Sequence, residues 1–189
     1  MIAVMDRIRD AAIQSVRELQ KRGIRTEMIT GDNERTAQTI AGKIGVDEYH
    51  AELLPDEKVT MIGNHLTKDY GRVAMVGDGV NDAPALVRAN VGIAMGAVGS
   101  DVSLEVADIA LMQDDLSKLP CLIELSKKTM AIVKQNVVAS ILIKGSFAIL
   151  AFPGLVSLWL AVAVGDMGLS LAVIFNALRL SLMKLKQVE

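Results

Sequence analysis

One cysteine, Cys121, is all this 189-residue chain holds, so no disulfide and no Cys-x-x-Cys metal site can form within it. The plain role for Cys121 is that of a small buried apolar residue. Aromatic residues make up only 3% of the chain, which leaves little to stack on nucleic-acid bases. No excess of basic charge is present either: the net charge is −2 and the isoelectric point is near 5.7. A nucleic-acid partner, which would call for a basic face, is therefore excluded. No repeat or low-complexity segment interrupts the chain. Charge itself is missing from one long stretch, since from Val137 to Leu178 only Lys144 and Asp166 carry it.

That stretch accounts for a hydrophobic content of 51% and a mean hydropathy of +0.38. Its length fits two helices of roughly 20 residues, each about 30 Å long, the thickness of a bilayer core. Pro153-Gly154 marks the turn between them. The alternative is a buried helical hairpin in a soluble core. Lys127, Lys128 and Lys134 precede the run and Arg179, Lys184 and Lys186 follow it. Basic residues on both flanks predict a multi-pass segment with both ends in the cytoplasm. The run lies late in the chain, so it is not a signal peptide. A lysine in mid-membrane costs about 2.5–3.5 kcal/mol and calls for a partner. Asp166 is the available countercharge. In a hairpin turning at Pro153-Gly154 the two differ in depth by only about 5 Å at a rise of about 1.5 Å per residue. A salt bridge is feasible, either functional or serving only helix association.

The residues before this stretch alternate short β-rich runs with amphipathic helices, the pattern of an α/β domain with a parallel sheet. Ile2–Met5, Arg25–Ile29, the run ending at Val76, Val91–Ala94 and Ile109–Leu111 are predicted strands. Ala12, Val16 and Leu19 share one helix face, and Ala37, Ile40, Ala41 and Ile44 another. Met61, Ile62 and Leu66 belong to a third helix. Leu116–Asn136 reads as a stalk helix, with Pro120 near its start where proline is tolerated. Chain direction places Thr30 and Asp78 at the same edge of one sheet. The densest chemistry lies in Gly77-Asp78-Gly79-Val80-Asn81-Asp82-Ala83-Pro84, directly after an apolar strand. Open α/β sheets bind ligands at such carboxyl-end loops. Two aspartates there suit a hard cation such as Mg²⁺ that bridges to phosphate, although Gly-Asp-Gly alone could be an acidic turn.

Gly77 to Pro84 resembles the hinge motif of the P-type cation-transporting ATPases, whose phosphorylation domain has the haloacid-dehalogenase fold. Thr30-Gly31-Asp32-Asn33 resembles that family's phosphate-binding segment, and Pro55-Asp56-Glu57-Lys58 the segment supplying its phosphate-contacting lysine. The resemblance implies that Asp78 and Asp82 hold Mg²⁺, with Asn81 and Asp82 ordering the loop. Thr30 and the Gly31 N–H would bond the phosphoryl oxygens, and Lys58 would offset their charge. Lys58 alone could equally be a solvated lysine at a helix start, and Asp32 and Asn33 could simply cap the following helix. His50 and His65, without a second ligand nearby in sequence, read as surface residues.

Lys144-Gly145, Asp166-Met167-Gly168 and Asn176-Ala177-Leu178-Arg179 resemble the last two helices of heavy-metal pumps, in the zinc, cadmium and lead exporting branch. This implies that Asp166 binds the transported metal and that Lys144 is its built-in counter-ion. The expected organisation is the second half of a phosphorylation domain over residues 1–115, a stalk over 116–136, and two transmembrane helices with a short tail over 137–189. The family's Asp-Lys-Thr-Gly-Thr segment, its Cys-Pro-Cys and an insert of nucleotide-domain size are not in the sequence. The chain is thus expected to be a C-terminal piece of a plasma-membrane pump that would not hydrolyse ATP alone. ATP would be bound mainly by parts outside it: the actuator domain, earlier membrane helices and nucleotide domain would be its partners, with the lipid bilayer. Two other readings are a soluble haloacid-dehalogenase phosphatase, which predicts an Asp-x-Asp nucleophile and no membrane hairpin, and a non-catalytic membrane-anchored module serving a partner pump.

Overall fold

The computed structural model describes residues 8–77, 80–96, 105–111 and 115–181. The expected strand Ile2–Met5, the expected Mg²⁺ ligand Asp78, and Lys184 and Lys186 lie outside the described residues. The chain divides into two compact units, meeting at Pro120 and Cys121.

In the first unit, α1 (Asp10–Lys21) leads into β1 (Glu27–Ile29), α2 (Glu34–Ile44) and β2 (Glu48–His50). The Asn33 side chain caps α2 by accepting from the Thr36 N–H at 3.0 Å. Ala37 and Ala41, one turn apart, form its buried stripe. Next come α3 (Pro55–Thr60), a π-helical turn (Met61–Leu66) and α4 (Thr67–Tyr70). Pro55 opens α3 where its missing N–H costs nothing, and the Glu57 carboxylate accepts from the Leu54 N–H at 2.8 Å. β3 (Ala74–Gly77), a 3₁₀ turn (Val80–Asp82), α5 (Ala83–Arg88), β4 (Val91–Met95) and β5 (Ile109–Leu111) complete the unit.

All strand pairings are parallel, but they fall into two sheets among the described residues. β1 pairs with β2, and β3, β4 and β5 lie in that order. Thr30 after β1 and Gly77 at the end of β3 thus stand on separate sheets among the described residues, and the expected strand Ile2–Met5 lies outside them. A strand's own residues fix its direction, whereas its neighbour depends on partners elsewhere in the chain. One cluster ties the elements together: Ile62, Met75, Ala85 and Leu86 are buried, with Ile29, Val59, Val73 and Ala89 packed on it. Burial of each larger side chain contributes roughly 1.5–3 kcal/mol. More to the point, Ile29 precedes Thr30 and Val59 follows Lys58, so the same core holds both near the α5 start.

The second unit is carried by α6 (Lys118–Ala151), which begins just before the boundary. Its 34 residues span about 51 Å at 1.5 Å per residue, longer than a bilayer core. The residues expected to form the stalk and the start of the first span thus lie in one uninterrupted helix. The chain turns at Pro153-Gly154 and returns through α7 (Leu158–Val162), a π-helical turn (Ala163–Gly168) and α8 (Leu169–Leu178). The Ser157 hydroxyl caps α7. Both helical runs are long and apolar enough to cross a membrane, and few of their residues are buried. A helix apolar on all sides and left uncovered is built for lipid or for other helices.

Candidate functional site

In the first unit the candidate residues stand where strands end. The Thr30 N–H donates to the His50 carbonyl at 2.9 Å, and the Leu53 N–H donates to the Thr30 carbonyl at 3.1 Å. The Thr30 hydroxyl oxygen accepts from the Asp32 N–H at 3.1 Å, and the Asp32 carbonyl accepts from Glu52 N–H at 2.8 Å. Thr30, Gly31 and Asp32 thus form a pinned loop, in which Asn33 rather than Asp32 makes the helix cap.

Lys58 and Asp82 are brought together from different elements. Lys58 Nζ lies 2.8 Å from Asp82 Oδ1, with side chains only 14% and 16% exposed. Asp82 closes the 3₁₀ turn after β3. A Cβ added at Gly77 would lie 2.9 Å from Asp82 Cβ and 3.1 Å from Asp82 Oδ2. Only glycine permits that approach, so the strand end and the carboxylate sit against one another. Asn81 is exposed. A hard cation fits this donor set in part: one Asp82 oxygen is engaged by Lys58, while the other stands beside the end of β3 and remains available to an oxygen-seeking ion.

In the second unit, Lys144 Nζ lies 2.9 Å from Asp166 Oδ1 across the hairpin. Asp166 sits within the π-helical turn Ala163–Gly168, and its carbonyl accepts from the Ser170 hydroxyl at 2.8 Å. Such turns are frequent at functional sites because one surplus residue re-aims side chains. Next to it, a Cβ on Gly165 would lie 2.9 Å from Phe147 Cδ2, so the helices close here through a glycine. Towards the other end of the hairpin, Asn176 Nδ2 donates to Asn136 Oδ1 at 2.8 Å, and Arg179 Nη1 donates to Asn176 Oδ1 at 3.0 Å. A groove of about 400 Å³ runs alongside, lined by Ser140, Ile141, Lys144, Leu169, Ser170 and Val173.

Sequence reasoning missed several of these partners. Neither the Gly165–Phe147 closure nor the Asn136–Asn176 bond was foreseen, although Asn136 and Asn176 could have been picked out as polar residues flanking an apolar run. His50 is corrected: its side chain is 22% exposed and its Nε2 lies 3.3 Å from Glu27 Oε2, so it is not a free surface residue. Only strand pairing unites those two, 23 positions apart. Glu18, Asp47 and Asp115 of the first unit are held below their ordinary range, Glu18 chiefly by its hydrogen bond from Lys21. At Asp47 the leading cause is the Thr26 N–H, and at Asp115 it is the Ser117 side chain, followed by its backbone N–H.

A haloacid dehalogenase-like hydrolase family profile matches residues 1–90. A probable cadmium-transporting ATPase of Alkalihalophilus pseudofirmus is 49% identical over 97% of this chain and 25% of its own length. A zinc-transporting ATPase of Synechocystis sp. is 46% identical over 95% of this chain and 25% of its own. The crystal structure of a zinc-transporting PIB-type ATPase in the E2.Pi state superposes with a TM-score of 0.86 and 43% identity, covering 93% of this chain and 28% of that one. The present chain spans about a quarter of the length of the curated relatives it matches. With its α/β haloacid-dehalogenase-like unit and its apolar helix hairpin, the chain belongs, as a segment, to the heavy-metal-transporting P-type ATPases.

Proposed function

We propose that the complete protein is an ATP-driven exporter of Zn²⁺, Cd²⁺ or Pb²⁺ working through an aspartyl-phosphate, and that this chain supplies half of its phosphate site and part of its ion site. The observation that carries this reading is the Lys144–Asp166 pair, 2.9 Å apart between two apolar helices. A charge pair in such surroundings is costly to insert and is retained where an ion passes. Asp166 offers oxygen to the cation, and Lys144 takes its place on the carboxylate when the cation leaves. The carboxylate therefore never stands bare in the membrane.

In the first unit, Thr30 and the Gly31 N–H would hold the phosphoryl oxygens, Lys58 would face their charge, and Asp32 and Asn81 would order the flanking loops. When bound, Mg²⁺ neutralises phosphate charge and fixes its orientation, and Asp78 and Asp82 would hold it. The acceptor aspartate lies in another part of the pump. It attacks the γ-phosphorus of ATP as ADP leaves, and water later cleaves the acyl phosphate to restore the carboxylate. Lys58 paired with Asp82 is the resting arrangement from which the ammonium turns to phosphate.

The pump would sit in the plasma membrane, with both ends of this segment cytoplasmic, as the flanking Lys127, Lys128, Lys134 and Arg179 support. The actuator domain, earlier membrane helices and nucleotide domain would be its partners. The apolar hairpin speaks against a soluble phosphatase. In the complete pump, Asp166→Ala abolishes zinc-stimulated ATP hydrolysis while Lys144→Ala leaves a leaky, zinc-independent turnover. Full zinc stimulation in Asp166→Ala at normal expression removes Asp166 from the ion site.

A further inference from the structure

A second cluster of metal-ligating side chains lies on the β1–β2 sheet and shares no side chain with either site above. Parallel pairing sets Glu27 opposite Glu48 and Ile29 opposite His50, so Glu27, Glu48 and His50 share one face. Donor atoms of these three residues lie within 4.8 Å of one another. His50 Nε2 stands 3.3 Å from Glu27 Oε2 and 4.0 Å from Glu48 Oε1. The remaining oxygens face the other way, because Glu27 Oε1 accepts from Arg25 Nε at 2.9 Å and Glu48 Oε2 accepts from Arg25 Nη2. Arg25 in turn lies over the Tyr70 ring, 5.2 Å from its centre.

The division of labour among the four carboxylate oxygens is the informative point. Two are gripped by one guanidinium, and the other two converge on an imidazole nitrogen. Oxygens converging on one ring nitrogen form the donor triangle that a cation would bridge. Around a tetrahedral ion with ligands at about 2.0–2.1 Å, neighbouring donors stand about 3.3 Å apart. The His50–Glu27 separation already has that value, and Glu48 Oε1, 4.0 Å from His50 Nε2, would close the remaining gap by a small rotation of its carboxylate while Oε2 keeps Arg25. Glu27, 9% exposed, is fixed in place, and Arg25 acts as the outer partner that orients both carboxylates.

The geometry points to a binding site for a borderline divalent cation of the Zn²⁺ type, held by Glu27, Glu48 and His50 with water in the fourth position. Imidazole with two carboxylates selects Zn²⁺ over Mg²⁺, which takes oxygen donors and resists losing its waters. The site is independent of the membrane pair. It also touches the phosphate segment, because the His50 carbonyl accepts the Thr30 N–H. Occupancy therefore clamps the strand pair from which Thr30 projects.

Zn²⁺ titration of the purified full chain in detergent, followed calorimetrically, tests this, with Co²⁺ X-ray absorption reporting the ligands. Asp166→Asn removes the candidate membrane site and is the background for the other variants. In that background one Zn²⁺ still binds, Mg²⁺ in large excess does not displace it, and His50→Gln and Glu48→Gln each weaken it at least tenfold. Co²⁺ shows imidazole scattering at about 2.0 Å, and Zn²⁺ slows exchange of the Thr30 amide. Unchanged binding in both variants, or binding lost in Asp166→Asn alone, overturns the site. Should His50→Gln unfold β2, the exposed Glu48→Gln decides alone. Full zinc-stimulated turnover of the complete pump in Asp166→Ala, with this binding intact, would count against the transport reading only.

Discussion

The Lys58–Asp82 pair can be tested by removing each partner and then both. At 2.8 Å and an effective dielectric near 20, the gross attraction is about 6 kcal/mol. Desolvation of two side chains that are only 14% and 16% exposed cancels much of it. Truncating one partner leaves the other shielded and unpaired, which costs about 2–3 kcal/mol, just below the range for fully buried pairs. Removing both deletes the attraction and the desolvation together. Lys58→Ala and Asp82→Ala should each lower protection of the β3 and α5 amides by about 30- to 150-fold, at tenfold per 1.4 kcal/mol. The double variant should lose no more than either single one, a coupling of about 2 kcal/mol. Hydrogen exchange of the purified chain by mass spectrometry reads all three. If the double variant loses the sum of the single losses, the two side chains act independently and the resting arrangement proposed for the phosphate site is wrong.

Two further tests address the backbone of each unit. Gly165→Leu forces the Phe147 contact, 2.9 Å already for a bare Cβ, and should cost about 1–3 kcal/mol of overpacking while lowering zinc-stimulated turnover of the complete pump. Unchanged melting and turnover would show that the helices do not close there. Asp47 accepts from the Thr26 N–H at 2.7 Å and from its hydroxyl at 2.9 Å, which lowers its carboxyl from the ordinary range. A lowered folded value gives stability that is complete above the unfolded value of about 3.9 and is lost as pH falls through the folded one. Asp47→Asn should therefore cost roughly 1 kcal/mol at neutral pH, modest because the site is exposed, and the gap to the parent chain should close below about pH 4. A gap that persists into acid would assign the effect to something other than the charge.

How much was legible in the sequence depends on how local each signal is. The α2 stripe of Ala37 and Ala41, the apolar strands β3 and β4, and the turn at Pro153-Gly154 are written in adjacent residues, and all stand where periodicity puts them. The Lys144–Asp166 pair was also within reach, because a hairpin with a known turn has one free register. β2 escaped notice, since Glu48-Tyr49-His50 carries no apolar run. With it went the whole Glu27–Glu48–His50 grouping, which exists only once β1 and β2 are paired. The Lys58–Asp82 contact could be guessed only through resemblance, as 24 positions separate the two residues. Neither π-helical turn has a composition signal of its own.

The wide turn around Asp166 has a mechanical corollary. An α-helix advances about 100° per residue, so a turn that stores one surplus residue holds the two halves of its helix out of phase by that angle. If the surplus slides along the helix, the carboxylate swings about the axis by roughly a quarter-turn while the helix ends stay put. Such a swivel would turn the acid from Lys144 towards a different neighbour at unchanged depth, with the Asn136–Asn176 bond as its fixed bearing.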